Sequence, residues 1–401
     1  MPVNLTAPES LLPIAGARLG VAEGAIKKPG RKDVLVIALA EGTQVAGVFT
    51  KNAFAAAPVQ LCRQRLKKTS RVRALLVNSG NANAATGAEG LASAKATTAS
   101  VASALGIAPE SVLPFSTGVI GQQLPVDRMN AAVGHATKRL VEDAWLAAAQ
   151  AIMTTDTVAK GQSRQVETRA GTVSVTGIAK GVGMLCPDMA TMLAFVGTDA
   201  KLSASDARRV LRDAVATSFN CATVDGDTST NDSCVLFATG QVATGPRDVK
   251  AIAGAIRDVC EHLAQSVVRD GEGATRFVTL RVGGARSVSE ARAVAYAIAH
   301  SPLVKTALFA GDANWGRLAM AIGKAGVKGL AASKVSIRLD EVKVLQRGQP
   351  HPDYRDAQGA AVLAKPEFTI GVELGRGKAS ARIWTCDFSY DYVKINAEYR
   401  T

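Results

Sequence analysis

The segment KGVGMLCPDMATML, residues 180–193, places a hydroxyl, Thr191, directly after a small residue, Ala190. A threonine hydroxyl is a weak nucleophile unless a base adjoins it. A threonine at a chain N-terminus carries that base itself. Its α-amino group has an ordinary pKa of about 7.7–8.0, which suits proton transfer near neutrality. An internal threonine reaches this state only when the bond before it is cut, here Ala190–Thr191. The hydroxyl would attack the preceding carbonyl, form an ester, and let water release the new N-terminus. The flanking residues suit that chemistry. Ala190 leaves its carbonyl open, Gly181 and Gly183 permit unusual backbone angles, and Pro187 stiffens the approach. Without further context the same letters also describe a strand residue in an apolar run.

Other chemistries lack their residues. The six cysteines (Cys62, Cys186, Cys221, Cys234, Cys260 and Cys386) form no CxxC pair and are scattered along the chain, which argues against a zinc site and against a disulfide framework. They are expected to be reduced and structural. His135, His262, His300 and His351 stand alone, with no HExxH spacing. No GxGxxG follows a strand, since GVGMLC lacks the third glycine; Gly377-Lys378 and Gly323-Lys324 are each followed by alanine rather than Ser or Thr. GxSxG is missing, and so is a glycine-rich pyrophosphate loop. Neither a metal nor a bound cofactor is expected.

The net charge of +13 raises the question of nucleic acid. The basic residues are dispersed, with the densest run, RQRLKKTSRVR, at 63–73. Aromatics make up only 4% of the chain, poor material for stacking bases, so a solvated basic surface is the reading. No window of about 18 apolar residues suggests a membrane span. The N-terminus MPVNLTAPESLLPIAG has no basic patch ahead of an apolar run, so no secretory signal is expected and a soluble cytoplasmic protein is the default.

The elements that must position Thr191 are of mixed type. VLVIALAEGTQVAGVFT (34–50) reads as two strands joined at a Gly-containing turn, and RALLVNSGNANAATG as a strand entering a loop of small polar residues. Residues 89–105 and 126–153 carry helical periodicity. SRQVETRAGTVSVTGIAK reads as a hairpin around Ala170-Gly171, and MLAFVGT as a strand after Thr191. Ser203 with Asp206 and Ser287 with Glu290 have capping-box spacing. A long helix is expected from Gly245-Pro246 to near Gly271, and another is expected to stop at Ser301-Pro302. VELGRGKASARIWTC looks like a hairpin over Gly375–Gly377. At 401 residues the chain calls for two or three domains, with a boundary at VGGARS, 282–287. That divides it into a larger domain, 1–284, and a smaller one, 285–401.

KGVGMLCPDMATMLAF resembles the self-cleavage region of the ornithine acetyltransferase family, the bifunctional glutamate N-acetyltransferase/amino-acid acetyltransferase of arginine biosynthesis. The likeness spans essentially the whole chain. It includes VNSGNANAATG (77–87), PFSTGVIG (114–121), TTDT (154–157), TVDGDTSTND (223–232), RDGEGATRF (269–277), SPLVKTALFAGDANWGR (301–317) and INAEYRT (395–401). Two positions depart: Cys186 stands where members vary widely, and Asp188 where asparagine is frequent.

The resemblance implies an α/β (α+β) fold: a layered sandwich of sheets and helices holding a self-cleaving N-terminal-threonine nucleophile, plus a smaller C-terminal α/β domain. Cleavage between Ala190 and Thr191 would give an α chain, 1–190, and a β chain, 191–401, assembled as α2β2. Thr191 would take acetyl from N2-acetyl-L-ornithine and pass it to L-glutamate by a ping-pong route. Thr117 and Gly118 would form the oxyanion hole. Thr154, Lys180, Thr191, Glu272, Asn396 and Thr401 would contact substrate. TVDGDTSTND and GDANWGR read as tight supporting loops rather than catalytic groups. Members divide between a cyclic acetyl transferase and one that also accepts acetyl-CoA as co-substrate, and both stay open here. Two rival readings also stand at this stage: a self-processing aminopeptidase or amidohydrolase of related fold, and a basic nucleic-acid-binding protein.

Overall fold

The computed structural model describes residues 2–186 and 192–398. By packing, the chain divides into a larger unit, 7–220 with 227–267, and a smaller unit, 1–6 with 221–226 and 268–401.

The larger unit contains β1 (Ala17–Ala22), β2 (Val34–Leu39), β3 (Gln44–Phe49), α1 (Ala57–Lys68), β4 (Ala74–Asn81), α2 (Gly87–Leu105), β5 (Val112–Val119), α3 (Val126–Thr137), α4 (Trp145–Ala151), β6 (Lys160–Thr168), β7 (Gly171–Lys180), β8 (Leu193–Ala200), α5 (Ala204–Thr217), β9 (Ser233–Val242) and most of α6 (Val249–Arg269). Its strands form two sheets, ordered β1-β2-β4-β5 and β3-β9-β8-β7-β6. Leu35, Ile37, Leu75, Val77, Leu113 and Phe115 from the first sheet share one core with Ile178, Leu193, Phe195, Val235 and Phe237 from the second. Trp145 of α4 is fully buried in that core and stacks on Phe237, ring centroids 6.0 Å apart.

The other face of the first sheet buries Val34, Val36, Leu76 and Val112 against Val101 of α2 and Met129 and Val133 of α3. On the far side of the second sheet, Val259 and Leu263 of α6 lie against Gly177 of β7. The result is a layered α/β sandwich, as expected. Because the inner strands are covered on both faces, they read as unbroken apolar runs, VLVIAL in β2 for example, rather than as alternation.

The elements at 34–50 are strands, but they do not pair. β2 lies in the first sheet between β1 and β4, while β3 crosses to the second and pairs with β9. The helical pattern at 126–153 is two helices, α3 and α4. The hairpin at Ala170-Gly171 forms as β6 and β7, and both capping residues act: Ser203 and Ser287 accept from the backbone N–H of Asp206 and Glu290, at 3.0 and 3.1 Å.

The smaller unit contains β10 (Phe277–Ala285), α7 (Val288–Ala299), α8 (Pro302–Ala310), α9 (Trp315–Gly323), β11 (Ser336–Leu339), β12 (Val342–Gln346), β13 (Gln349–Pro350), α10 (Asp356–Leu363), β14 (Glu367–Glu373), β15 (Ala379–Cys386) and α11 (Tyr390–Ala397). Its sheet runs β13-β12-β11-β14-β10-β15, with α7 packed on β10 and β15. The expected hairpin over Gly375–Gly377 is not one. β10 lies between β14 and β15, parallel to the first and antiparallel to the second. The Gly-containing loop crosses β10, and the N–H groups of Arg376 and Gly377 donate to Gly284 O at 2.7 and 2.8 Å. The segment 282–287, taken from sequence as a boundary, contains the end of β10 and the N-cap of α7.

The six cysteines are unbridged, and all but Cys186 are buried. Among the described residues no single helix is long and apolar enough to cross a membrane.

Phe195 meets Phe115 edge-on, ring centroids 5.0 Å apart, in the middle of the inter-sheet core. Phe195→Ala should lower unfolding free energy by about 3–5 kcal/mol in urea titration. A loss under about 1 kcal/mol would contradict the two-sheet core.

Candidate active site

In the larger unit the candidate residues gather at strand ends. Thr117 and Gly118 lie just before the last residue of β5, Val119, and Lys180 closes β7. Lys180 pairs with Leu193 across β7 and β8, two residues beyond Thr191 in sequence. Its side chain is buried, and Nζ lies 3.4 Å from Thr117 Oγ1, so two of the predicted residues meet. Ala190, Thr191 and Thr401 lie outside the described residues.

Gly118 could be nothing else. Its φ is +136°, and a Cβ there would sit 2.2 Å from Gly80 C and 2.5 Å from Asn81 N. β4 and β5 run parallel but lose register at this point, Asn81 facing both Thr117 and Val119. Such an irregularity turns the backbone out of the ladder and re-aims the groups beside it. The surrounding VNSGNANAATG segment holds it in place. Ser116 Oγ lies 2.6 Å from Asn78 Oδ1, Asn78 Nδ2 donates to Asn81 O at 2.9 Å, and Asn81 Oδ1 accepts from Asn83 N at 2.7 Å.

Asp156 organises the second edge. Its Oδ1 accepts from Lys160 Nζ at 2.7 Å and from Gly181 N at 2.8 Å; Oδ2 accepts from Thr154 N at 3.0 Å. One carboxylate thereby joins the Thr154 loop, the first residue after β7, and β6. Burial pushes its pKa up, but the charges of Lys160 and Lys180 and the Gly181 N–H outweigh that and hold it well below the usual carboxylate range. A depressed folded pKa stabilises above the unfolded value of about 3.9. That contribution is lost as pH falls below it.

Asp232 behaves in the opposite way. It precedes β9, and Oδ1 accepts from Met192 N at 3.0 Å. Oδ2 is buried and has no hydrogen-bond partner among the described residues. Burial drives its pKa well up; the Met192 N–H, the Lys180 charge and the Ser229 backbone only partly oppose this. The site thus holds two buried carboxylates whose pKa values are pushed in opposite directions by environment rather than residue type. Next to Asp232, Asn231 Nδ2 donates to Ala82 O at 2.6 Å and Ser116 O at 2.8 Å.

In the smaller unit Glu272 and Asn396 meet: Asn396 Nδ2 donates to Glu272 Oε2 at 2.9 Å. The turn carrying Glu272 is fixed by Asp387, which accepts from Thr275 N, Thr275 Oγ1 and Arg276 N at 2.7–2.8 Å. GDANWGR is a loop only over 311–314; its last three residues open α9, which Asn314 caps by accepting from Arg317 N at 3.2 Å.

Asp156, Lys160, Asp232 and Asp387 escaped the sequence reading as individuals. Three of them fall within or beside quoted motifs: TTDT contains Asp156, Lys160 follows it, and TVDGDTSTND ends at Asp232. Acid flanked by small hydroxyl residues was the available signal. Spacing alone does not separate a buried anchor from a turn acid on the surface.

A family model described as the ArgJ family matches residues 18–401. The Arginine biosynthesis bifunctional protein ArgJ of Methylococcus capsulatus is 54% identical over 396 residues, 98% of this chain and 97% of that protein. The protein of the same name from Pseudomonas fluorescens is 51% identical over 408 residues, covering 100% of both. Among solved structures, the ArgJ bifunctional protein of Bacillus halodurans is 37% identical, with a TM-score of 0.49 over 51% of this chain and 98% of that one. Ornithine acetyltransferase from Mycobacterium tuberculosis, complexed with ornithine, is 37% identical, with a TM-score of 0.41 over 43% of this chain and 92% of that one.

Two outcomes follow from the buried carboxylates. Lys160→Met should cost about 3–5 kcal/mol at pH 7, because it strands Asp156 as a buried charge; urea unfolding measures this. For Asp232, a raised folded pKa means that folding must take up a proton above the unfolded pKa. Asp232→Asn removes that cost, so its melting temperature should match or exceed wild type at pH 8, with the advantage shrinking toward pH 4. Wild type gaining on the variant as pH rises would refute a raised Asp232 pKa.

Proposed function

The chain belongs to the ArgJ family, and from that premise we propose that it transfers acetyl from N2-acetyl-L-ornithine to L-glutamate in arginine biosynthesis. The observation that carries this reading is the family match across residues 18–401. Family membership also stands against the hydrolase alternative and against nucleic-acid binding.

In the proposed mechanism the chain cuts itself between Ala190 and Thr191, leaving chains 1–190 and 191–401. The freed amine of Thr191 accepts the proton of its own hydroxyl, which attacks the acetyl carbonyl of acetylornithine. Thr117 Oγ1 and the Gly118 N–H donate to the resulting oxyanion. Lys180 strengthens this: a buried cation 3.4 Å from the Thr117 hydroxyl favours negative charge forming there. Collapse breaks the amide C–N bond, the protonated amine of ornithine leaves, and an acetyl ester remains on Thr191. The amine of glutamate then attacks that ester through the same oxyanion site. N-acetyl-L-glutamate leaves and the hydroxyl regains its proton.

Binding roles follow from charge. Lys180 suits the α-carboxylate common to both substrates. Glu272 suits the side-chain ammonium of ornithine, and Asn396, at 2.9 Å, orients it. Thr154, held by Asp156, and Thr401 complete the proposed contacts. The name bifunctional, shared by the relatives, supports acetyl-CoA as a second acetyl donor. We assign the processed chains to an α2β2 assembly in the cytoplasm.

Intact mass should give two chains for wild type and one for Thr191→Ala. Incubation with acetyl-labelled acetylornithine, without glutamate, should leave the label on Thr191. A single unbroken wild-type chain with full activity, or label on another side chain, would overturn the assignment. Thr117→Ala should lower kcat by about 10²–10³-fold, the usual effect of removing one oxyanion donor. Glutamate incubated with acetyl-CoA and no acetylornithine tests the second donor.

A further inference from the structure

The open face of the six-stranded sheet in the smaller unit carries a row of cations that acetyl transfer does not use. Strand register places Arg382 of β15 opposite Arg281 of β10, and Arg281 beside Gly371 of β14. Gly371 faces Arg338 of β11, and Arg338 faces Lys343 of β12. Residues level with one another across a sheet share a face, so four cations cross five strands in a line of about 19 Å at the ordinary strand spacing. The opposite face is apolar: Leu280, Val282, Ile337, Ile370, Val372 and Ile383 or their neighbours are buried there, and α7 packs on it.

Two details make the row a built feature. Gly371 stands at its centre, and a Cβ there would lie 2.5 Å from Arg338 Nε and 2.7 Å from its Cγ. The Arg338 side chain therefore lies across Gly371, toward Arg281. The same face also holds a cavity of about 630 Å³ lined by Arg281, Arg338, Lys343, Gln346, Glu373 and Arg382, a volume suited to a small ligand.

Like charges directly opposite in a sheet are destabilising, a cost that a bound anion would relieve. Arg281 and Lys343 make no ion pair among the described residues. Arg338 reaches Glu341 at 3.8 Å, with both groups exposed. Arg382 stacks on Trp384, 4.3 Å from the ring centroid. Glu373, the acidic residue lining the cavity, lies over Gly283 and Gly284 one row away. A two-fold contact through this face would set cation against cation, which disfavours a second copy of the chain as occupant.

We propose that this cationic row binds a small oligophosphate, with successive phosphates bridging the guanidinium groups of neighbouring strands. Arginine forks match phosphate oxygens in pairs, and a single carboxylate would satisfy only one of them. The phosphate chain belongs either to an inorganic oligophosphate or to a nucleotide.

Calorimetric titration of the full-length protein at low salt, with inorganic tripolyphosphate, ATP and orthophosphate, tests this. Tripolyphosphate should bind, orthophosphate at least tenfold more weakly, and binding should weaken steeply as salt rises. Equal affinity for ATP and tripolyphosphate identifies the phosphate chain as the whole ligand; tighter ATP binding identifies a nucleotide. The double variant Arg281→Ser/Arg338→Ser should bind at least tenfold more weakly while keeping acetyl-transfer activity and a melting temperature no lower than wild type. Hydrogen exchange on wild type supplies a readout independent of any variant: tripolyphosphate should protect β10, β11 and β14. No binding at millimolar ligand, unchanged affinity in the double variant, or protection confined to other segments would overturn the proposal.

Discussion

One buried carboxylate ties the candidate site together. Asp156 is closed off from solvent, and such a charge survives only if its oxygens are met by donors. Lys160 Nζ, Gly181 N and Thr154 N meet them. Those donors come from the start of β6, the residue after β7 and the loop after α4. The need to solvate one charge therefore sets the spacing of three separate stretches of chain. Thr154 and Lys180 owe their positions to it, and so does the direction in which the chain leaves β7 toward residue 191.

The same neighbourhood shows how environment moves the pKa values of like residues in opposite directions. Asp156 and Asp232 both feel Lys180, and both are buried. Asp156 also has a cation at 2.7 Å and stays charged. Asp232 accepts from the Met192 N–H and has an oxygen without a hydrogen-bond partner among the described residues, and burial raises its pKa. A charged anchor holds a loop firmly. Lys180, whose charge reaches both acids, also lies 3.4 Å from Thr117 Oγ1.

Much of the local structure was legible in sequence because its causes are local. Ser203 and Ser287 cap their helices as their spacing predicts, and the Ala170-Gly171 turn closes a hairpin. The hairpin expected over Gly375–Gly377 is misread, and the question there is one of partnership. β14 and β15 flank β10 instead of each other, and the two strands read correctly at 34–50 belong to different sheets. A Gly-rich link between two apolar runs looks the same whether it turns back on its neighbour or crosses a third strand. Only the competition for hydrogen-bonding edges across the whole sheet decides between them.

The sequence by itself determined the chemistry on offer: a threonine after a small residue, a Ser-Thr-Gly turn, and a family identity carried by long ordered motifs. It did so because nucleophile, donor and turn former are properties of residue types at fixed spacing. Only the tertiary structure decided that Gly118 must be glycine, since the obstacle is the backbone of Gly80 and Asn81, far away in sequence. It also decided that burial and charge move the pKa of Asp156 down and that of Asp232 up, and that four cations line up across five strands of the smaller unit. Burial, charge separation and strand register are relations between distant segments, and no single stretch of sequence contains them.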